Sequence, residues 1–140
     1  PFQVFGHPSL PKHLYQFTPV SRPGASSPKL KDQVCYGWNL SGTPDEVFNK
    51  VNGRIQLKYL IEAYKLFPDK NNFFIKPRSG NMDESFFNKL AGNATLMQQL
   101  KEGVSEEAIR KSWQPKLDEF KKIRKKYLLY PDFETASNEF

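Results

Sequence analysis

The sequence predicts an α+β domain: short strands in the N-terminal third packed against several helices in the C-terminal two-thirds. Three observations lead there. The chain up to about residue 53 is rich in Pro and Gly and carries short runs of β character. After that point apolar residues recur at helical spacing. Strands grouped at one end and helices at the other, rather than alternating, is the α+β pattern. The 140 residues, 38% hydrophobic and 14% aromatic, suit one domain spanning residues 1–140, and exclude a disordered tail.

Phe2 to Phe5 forms the first candidate strand, stopped by Gly6-His7-Pro8, since Pro8 disfavours helix at His7. Tyr15 to Val20 is a second β-like run, and Ser21 to Pro28 is a Pro/Gly/Ser loop. From Gln33 to Leu40 the residues alternate: Val34, Tyr36, Trp38 and Leu40 point one way, Cys35 and Gly37 the other. Ser41-Gly42-Thr43-Pro44 ends that strand.

Leu57, Leu60, Ile61, Tyr64 and Phe67 form an apolar stripe on a helix from about Arg54 to Phe67, closed by Pro68 and Asp69-Lys70-Asn71-Asn72. Phe73-Phe74-Ile75 reads as a short buried strand. Phe86, Phe87 and Leu90 mark a helix that stops at Gly92. Asn93 then caps a short helix carrying Leu96, Met97 and Leu100, with Gly103 after its end. Ser105 caps a further helix, with Glu106 and Glu107 in its first turn. Pro115 should break or kink that helix, or begin a new one at its first position.

The chemistry of the side chains excludes several classes. The net charge of +6 and pI of about 9.4 favour an acidic partner without choosing among nucleic acid, anionic lipid and acidic glycan. No nucleic-acid motif is present, so a basic surface at Lys121 to Lys126 reads as the cationic end of a helix. No run is apolar and long enough for a membrane span. The first residues lack a charged leader, so no signal peptide is expected in this chain, which begins inside structured sequence as a fragment would.

Cys35, the one cysteine, reads as a small core residue; a catalytic thiol would need a base that cannot be assigned. His7 and His13 have no metal-binding spacing and no serine motif, so neither a metal nor a cofactor is expected. Most carboxylates, among them Glu62, Glu102, Glu106, Glu107, Asp118 and Glu119, fall on polar helix faces. None is placed like the paired acids of a glycosidase. This chain alone is therefore not expected to be catalytic.

Several stretches together carry a resemblance. They are Pro1-Phe2-Gln3-Val4-Phe5-Gly6-His7-Pro8, Val34-Cys35-Tyr36-Gly37, and Leu57-Lys58-Tyr59-Leu60-Ile61-Glu62-Ala63-Tyr64. After these come Phe73-Phe74-Ile75, Phe87-Asn88-Lys89-Leu90-Ala91-Gly92, Ile109 to Trp113, Phe120, and Arg124 to Pro131. In order and spacing they resemble the C-terminal half of the NamZ-type exo-β-N-acetylmuramidase family, long known only as a domain of unknown function.

The resemblance implies a bacterial, exported, two-domain parent that releases N-acetylmuramic acid from the non-reducing ends of peptidoglycan fragments. A Rossmann-like N-terminal domain carries the catalytic glutamate, and the smaller C-terminal domain packs against it near the cleft. No catalytic residue maps onto this chain. The implied role is that of an accessory domain, periplasmic or extracellular, whose partners are the N-terminal domain and a muramic-acid glycan. His7, Trp38 and Phe74 are the candidate substrate contacts, His7 because the Phe5-Gly6-His7-Pro8 turn should approach the cleft. The alternative is a free-standing peptidoglycan-binding or interaction module without catalysis.

Overall fold

The computed structural model describes residues 3–131, which fall into two compact units divided after Gly103. The first unit opens with a three-stranded antiparallel sheet of β1 (Val4–His7), β2 (Tyr15–Phe17) and β3 (Cys35–Asn39), in the order β1-β3-β2. Four helices follow: α1 (Pro44–Val51), α2 (Lys58–Leu66), α3 (Phe86–Ala91) and α4 (Thr95–Lys101). The α+β class is as expected.

Register explains why β1 runs further than the sequence suggested. Gly6 lies opposite Gly37 across β1 and β3, with Phe5 opposite Trp38 and His7 opposite Tyr36. A Cβ on Gly6 would come within 2.2 Å of the Tyr36 carbonyl oxygen, and one on Gly37 within 2.0 Å of that of Phe5. Gly6 is therefore not a stop; the glycine pair lets the two backbones close, and the ladder continues through His7. Alternation on β3 holds, and it is Cys35 and Gly37 that are buried while Tyr36 and Trp38 are half-buried. Burial pushes the Cys35 thiol above its ordinary range, and an un-ionised, enclosed sulfur agrees with its reading as a core residue.

Aromatic rings join the sheet to the helices. Trp38 stacks on Phe5 at 4.8 Å and 15°, and Phe5 meets the edge of Tyr59 on α2 at 6.2 Å. His7 meets Phe67 at 5.1 Å, and Phe67 meets Phe73 at 5.4 Å. Phe73 then meets Phe74, which meets Phe87 of α3 at 4.8 Å. Phe74, Met97 and Leu100 are the buried centre, with Leu60, Ile61 and Tyr64 of α2 packed around it.

The expected strand at Phe73-Phe74-Ile75 is not one. A 3-10 turn at Lys70–Asn72 is followed by a helical backbone at Phe73 (φ −63°, ψ −45°), and Ile75 is 74% exposed. Three apolar residues without alternation cannot distinguish a strand from a turn that drops two rings into the core. Lys70 stabilises this junction. Its ammonium donates to the carbonyls of Lys65 at 2.6 Å and Phe67 at 2.7 Å, and to that of Tyr64, closing the C-terminal end of α2.

Helix α1 was not expected, and its ends explain it. Thr43 is the N-cap, with its hydroxyl accepting from the Glu46 N–H at 3.3 Å while the Glu46 carboxylate accepts from the Thr43 N–H at 2.8 Å. Pro44 occupies the first turn. The backbone hydrogen bond from Thr43, then the Thr43 hydroxyl, hold the Glu46 carboxyl below its usual range, with Lys50 adding to the effect. Asn52 ends the helix in a left-handed conformation, φ 47°.

Further on, Ser85 is fully buried and caps α3 by accepting from Asn88 N–H at 3.2 Å, and Gly92 (φ 73°) ends it. Asn93 accepts from Leu96 N–H at 3.1 Å at the start of α4, and Gly103 (φ 71°) lies beyond its end.

The second unit is built on α5 (Glu106–Arg124), capped by Ser105, whose hydroxyl accepts from Ala108 N–H at 3.2 Å. The helix runs through Pro115 without a break. Only one ladder bond is lost, to the Lys111 carbonyl. Side-chain pairs support the turns on either side: Glu106 with Arg110 at 2.7 Å and Gln114 with Asp118 at 2.7 Å. Leu117, Phe120 and Ile123 are exposed on α5, and Lys121, Lys122 and Arg124 lie in its last turn.

Two outcomes are expected. Gly37→Ala should destabilise the protein by at least about 1–3 kcal/mol, because the clash is with backbone that cannot rotate away; a thermal melt unchanged from the parent sequence would contradict the paired-glycine account. Thr43→Ala should cost about 1 kcal/mol. Because the folded Glu46 pKa is depressed, the cap contributes above the unfolded carboxyl pKa and fades as pH falls through the lower folded value. The difference in urea midpoint between Glu46→Ala, which removes the titrating acceptor, and the parent sequence should therefore shrink as pH falls below the ordinary carboxyl range.

Candidate functional site

In the first unit, Gln3 just before β1, the Leu40–Gly42 connection after β3, α1, the segment leading into α2 and the first turn of α2 surround a cavity of about 420 Å³. Its apolar wall is Leu40, Val47 and Val51, with Tyr59 contributing a ring. The polar side is Gln3, Lys50, Arg54 and Gln56.

Local folding puts these groups in place. The capped α1 presents Val47 and Val51, one turn apart, to the cavity, with Lys50 between them in sequence. Lys50 is held by donating to the Ser41 carbonyl at 3.2 Å. Two successive left-handed residues, Asn52 (φ 47°) and Gly53 (φ 59°), reverse the chain after α1. That reversal brings Arg54 and Gln56 to the same opening, and Gln56 is anchored by donating to the Val51 carbonyl at 2.7 Å. Lys58 stands with its ammonium 4.8 Å from the centre of the Tyr59 ring.

The cavity has an apolar margin as well. Phe48 is 76% exposed, Val51 47% and Ile55 70%, and α1 buries none of its residues. A second cavity of about 400 Å³ lies between β2 and the following loop, lined by Phe17, Val20 and Arg22 among others.

The residues singled out by sequence are distributed differently. His7 and Trp38 share one face of the sheet, because Phe5 pairs with Trp38 and His7 with Tyr36. Both are half-buried. His7 Nδ1 accepts from the Ser9 N–H at 3.1 Å, and its ring lies against Phe67. Trp38 is engaged with Phe5. Phe74 is only 5% exposed and sits in the core among Tyr64, Phe73 and Phe87. None of the three lines either cavity. Sequence reasoning passed over Lys50, Arg54 and Gln56. The one available signal was Thr43-Pro44-Asp45-Glu46, which announces the helix that positions Lys50.

Among the described residues no three His, Cys, Asp or Glu side chains gather as a metal site. No helix among them is long and apolar enough to cross a membrane.

Comparison with known proteins agrees with this architecture. A crystal structure of a DUF1343 family protein from Bacteroides fragilis NCTC 9343 superposes with a TM-score of 0.70 at 36% identity, covering 94% of this chain and 34% of that one. The peptidoglycan β-N-acetylmuramidase NamZ of Bacillus subtilis (strain 168) is 30% identical over 102 residues, which is 73% of this chain and 22% of that protein. The chain thus spans about a fifth to a third of the length of these relatives. Residues 1–130 match the family described as exo-β-N-acetylmuramidase NamZ, C-terminal, and the chain belongs to that family of C-terminal domains.

Proposed function

We propose that this chain is the accessory domain of a bacterial, exported exo-β-N-acetylmuramidase. It completes one wall of the substrate cleft and helps to position a muramyl sugar, while an N-terminal domain of the same parent supplies the chemistry. Family membership supports the enzyme class. The observation that carries the domain's role is the cavity bordered by an uncovered apolar margin. A helix that buries none of its own residues, with Phe48 and Ile55 largely exposed beside a cavity, has the character of a surface that another part of the parent covers. Covering it would turn an open cavity into a cleft and exclude water from it. Holding a sugar in a productive pose contributes strongly to rate without any catalytic group on this side.

In this reading His7 and Trp38 are candidate sugar contacts from the sheet, and Phe74 supports His7 through the chain of packed rings. The muramidase parent, assayed on a chromogenic β-N-acetylmuramide, should hydrolyse it while this chain alone does not. Phe48→Asp in the parent should lower kcat/KM at least about tenfold, through a charge placed in an apolar interface. His7→Ala should raise KM if His7 touches sugar; unaltered kcat and KM would remove it from the site. Full parental activity in Phe48→Asp would favour the other reading, a peptidoglycan-binding module whose surface is independent of catalysis.

A further inference from the structure

We propose that the cavity beside α1 is a carboxylate-recognising subsite, with the Arg54 guanidinium and Lys50 ammonium as its cations and the Tyr59 ring as its sugar platform. The anion part of this assignment rests on geometry alone, and the sugar part rests on the muramidase reading above.

Its size, about 420 Å³, lies within the range of small-molecule sites. Both Lys50 and Arg54 line it, and Lys58 stands over the ring of Tyr59. One carboxylate is close. Glu46 approaches Lys50 near Gly42, where an added Cβ would meet Glu46 Oε2 at 2.7 Å and Lys50 Nζ at 3.5 Å. Glu46 is committed to the Thr43 N–H and accounts for part of the Lys50 charge. Arg54 differs: no carboxylate among the described residues lies within ion-pair distance of its guanidinium. The lining therefore holds a surplus of positive charge.

A planar guanidinium matches the two oxygens of a carboxylate, and a second cation lining the same cavity adds attraction without a geometric demand. The rest of the lining argues against a bare inorganic anion. Leu40, Val47, Val51 and the Tyr59 ring give an apolar wall that a sugar ring covers and a phosphate does not. A muramic-type sugar carries both features, a pyranose face and a lactyl carboxylate. N-acetylglucosamine has the same ring without the carboxylate.

The test is a titration of the 140-residue chain followed by amide chemical shifts, using N-acetylmuramic acid, N-acetylglucosamine and inorganic phosphate in turn. N-acetylmuramic acid should give saturable shifts at Gly42, Lys50, Arg54 and Tyr59. N-acetylglucosamine and phosphate should each bind at least about tenfold more weakly, the scale set by losing a charge-assisted pair or the apolar contact. Arg54→Gln should weaken N-acetylmuramic acid by a similar factor and leave N-acetylglucosamine unchanged, while Arg54→Lys should recover part of the loss. A dispersed amide spectrum for each variant secures its fold. Equal affinity for the two sugars, insensitivity to Arg54→Gln, shifts confined to other parts of the chain, or no saturable shift would each overturn the assignment. Phosphate binding as tightly as N-acetylmuramic acid would overturn the sugar part. Because the titration reads binding and not hydrolysis, it separates this site from the cleft reading. Intact N-acetylmuramic acid binding with fully active Phe48→Asp parent sinks the cleft alone, and the reverse sinks this site alone.

Discussion

The first unit depends on a run of touching rings. From His7 on the sheet edge through Phe67, Phe73 and Phe74 to Phe87, each ring meets the next at 4.8–5.4 Å. Few residues in the unit are fully buried, so its cohesion does not come from a large aliphatic centre. Aromatic residues bury 150–250 Å² each and prefer edge-to-face contact, so a short series of them joins elements that share little other surface. The ring series also dictates where backbone must bend. Phe73 and Phe74 both point into the unit only because the chain there is helical rather than extended, and Lys70, by closing α2, holds that bend in position.

From that constraint the sheet follows. Its helix-facing side carries Phe5, His7, Tyr36 and Trp38, and the contacts Phe5–Tyr59 and His7–Phe67 fix the two ends of α2 against it. The opposite side is built for closeness, with two glycines facing each other and a buried cysteine beside them. The β3–α1 connection leaves the sheet beside Tyr59, which meets Phe5 and also lines the cavity. There the core ends and the cavity begins.

This division decides what could be read from sequence. Elements whose residues repeat along the chain were legible: the alternation of β3, the stripe of α2, the caps Asn93 and Ser105, and the glycines after α3 and α4. Where one local signal carries two meanings, reading fails. Gly6 is a turn residue in most settings but here lets two strands close. Ser41-Gly42-Thr43-Pro44 ends a strand and also starts a helix, and the second meaning lay in Glu46, three residues after Thr43. Pro115 breaks a ladder bond and yet α5 continues, a balance of small terms that a breaker rule does not weigh. Trp38 and Phe74 were singled out because large aromatics suit sugars, but the same property suits cores, and Phe74 is used there. The cationic cavity was illegible for a different reason. Lys50 and Arg54 converge only because Asn52 and Gly53 turn the chain back, and neighbourhood in space leaves no pattern in spacing.

Helix α1 concentrates these consequences. Eight residues are too few to form a stable helix alone in water, and α1 buries none of them. What holds it is chemistry at its ends: the Thr43–Glu46 box before it and the Asn52 turn after it. An element held at its ends, and not by its face, keeps that face available. Its apolar residues Phe48 and Val51 and its cation Lys50 are close together on the same short helix, so a surface that covers the first two comes close to the third. In the proposed enzyme, docking of the N-terminal part would cover a cavity in which the Ser41 carbonyl already holds Lys50. In that proposal the caps that form α1 would serve substrate recognition as well as the fold.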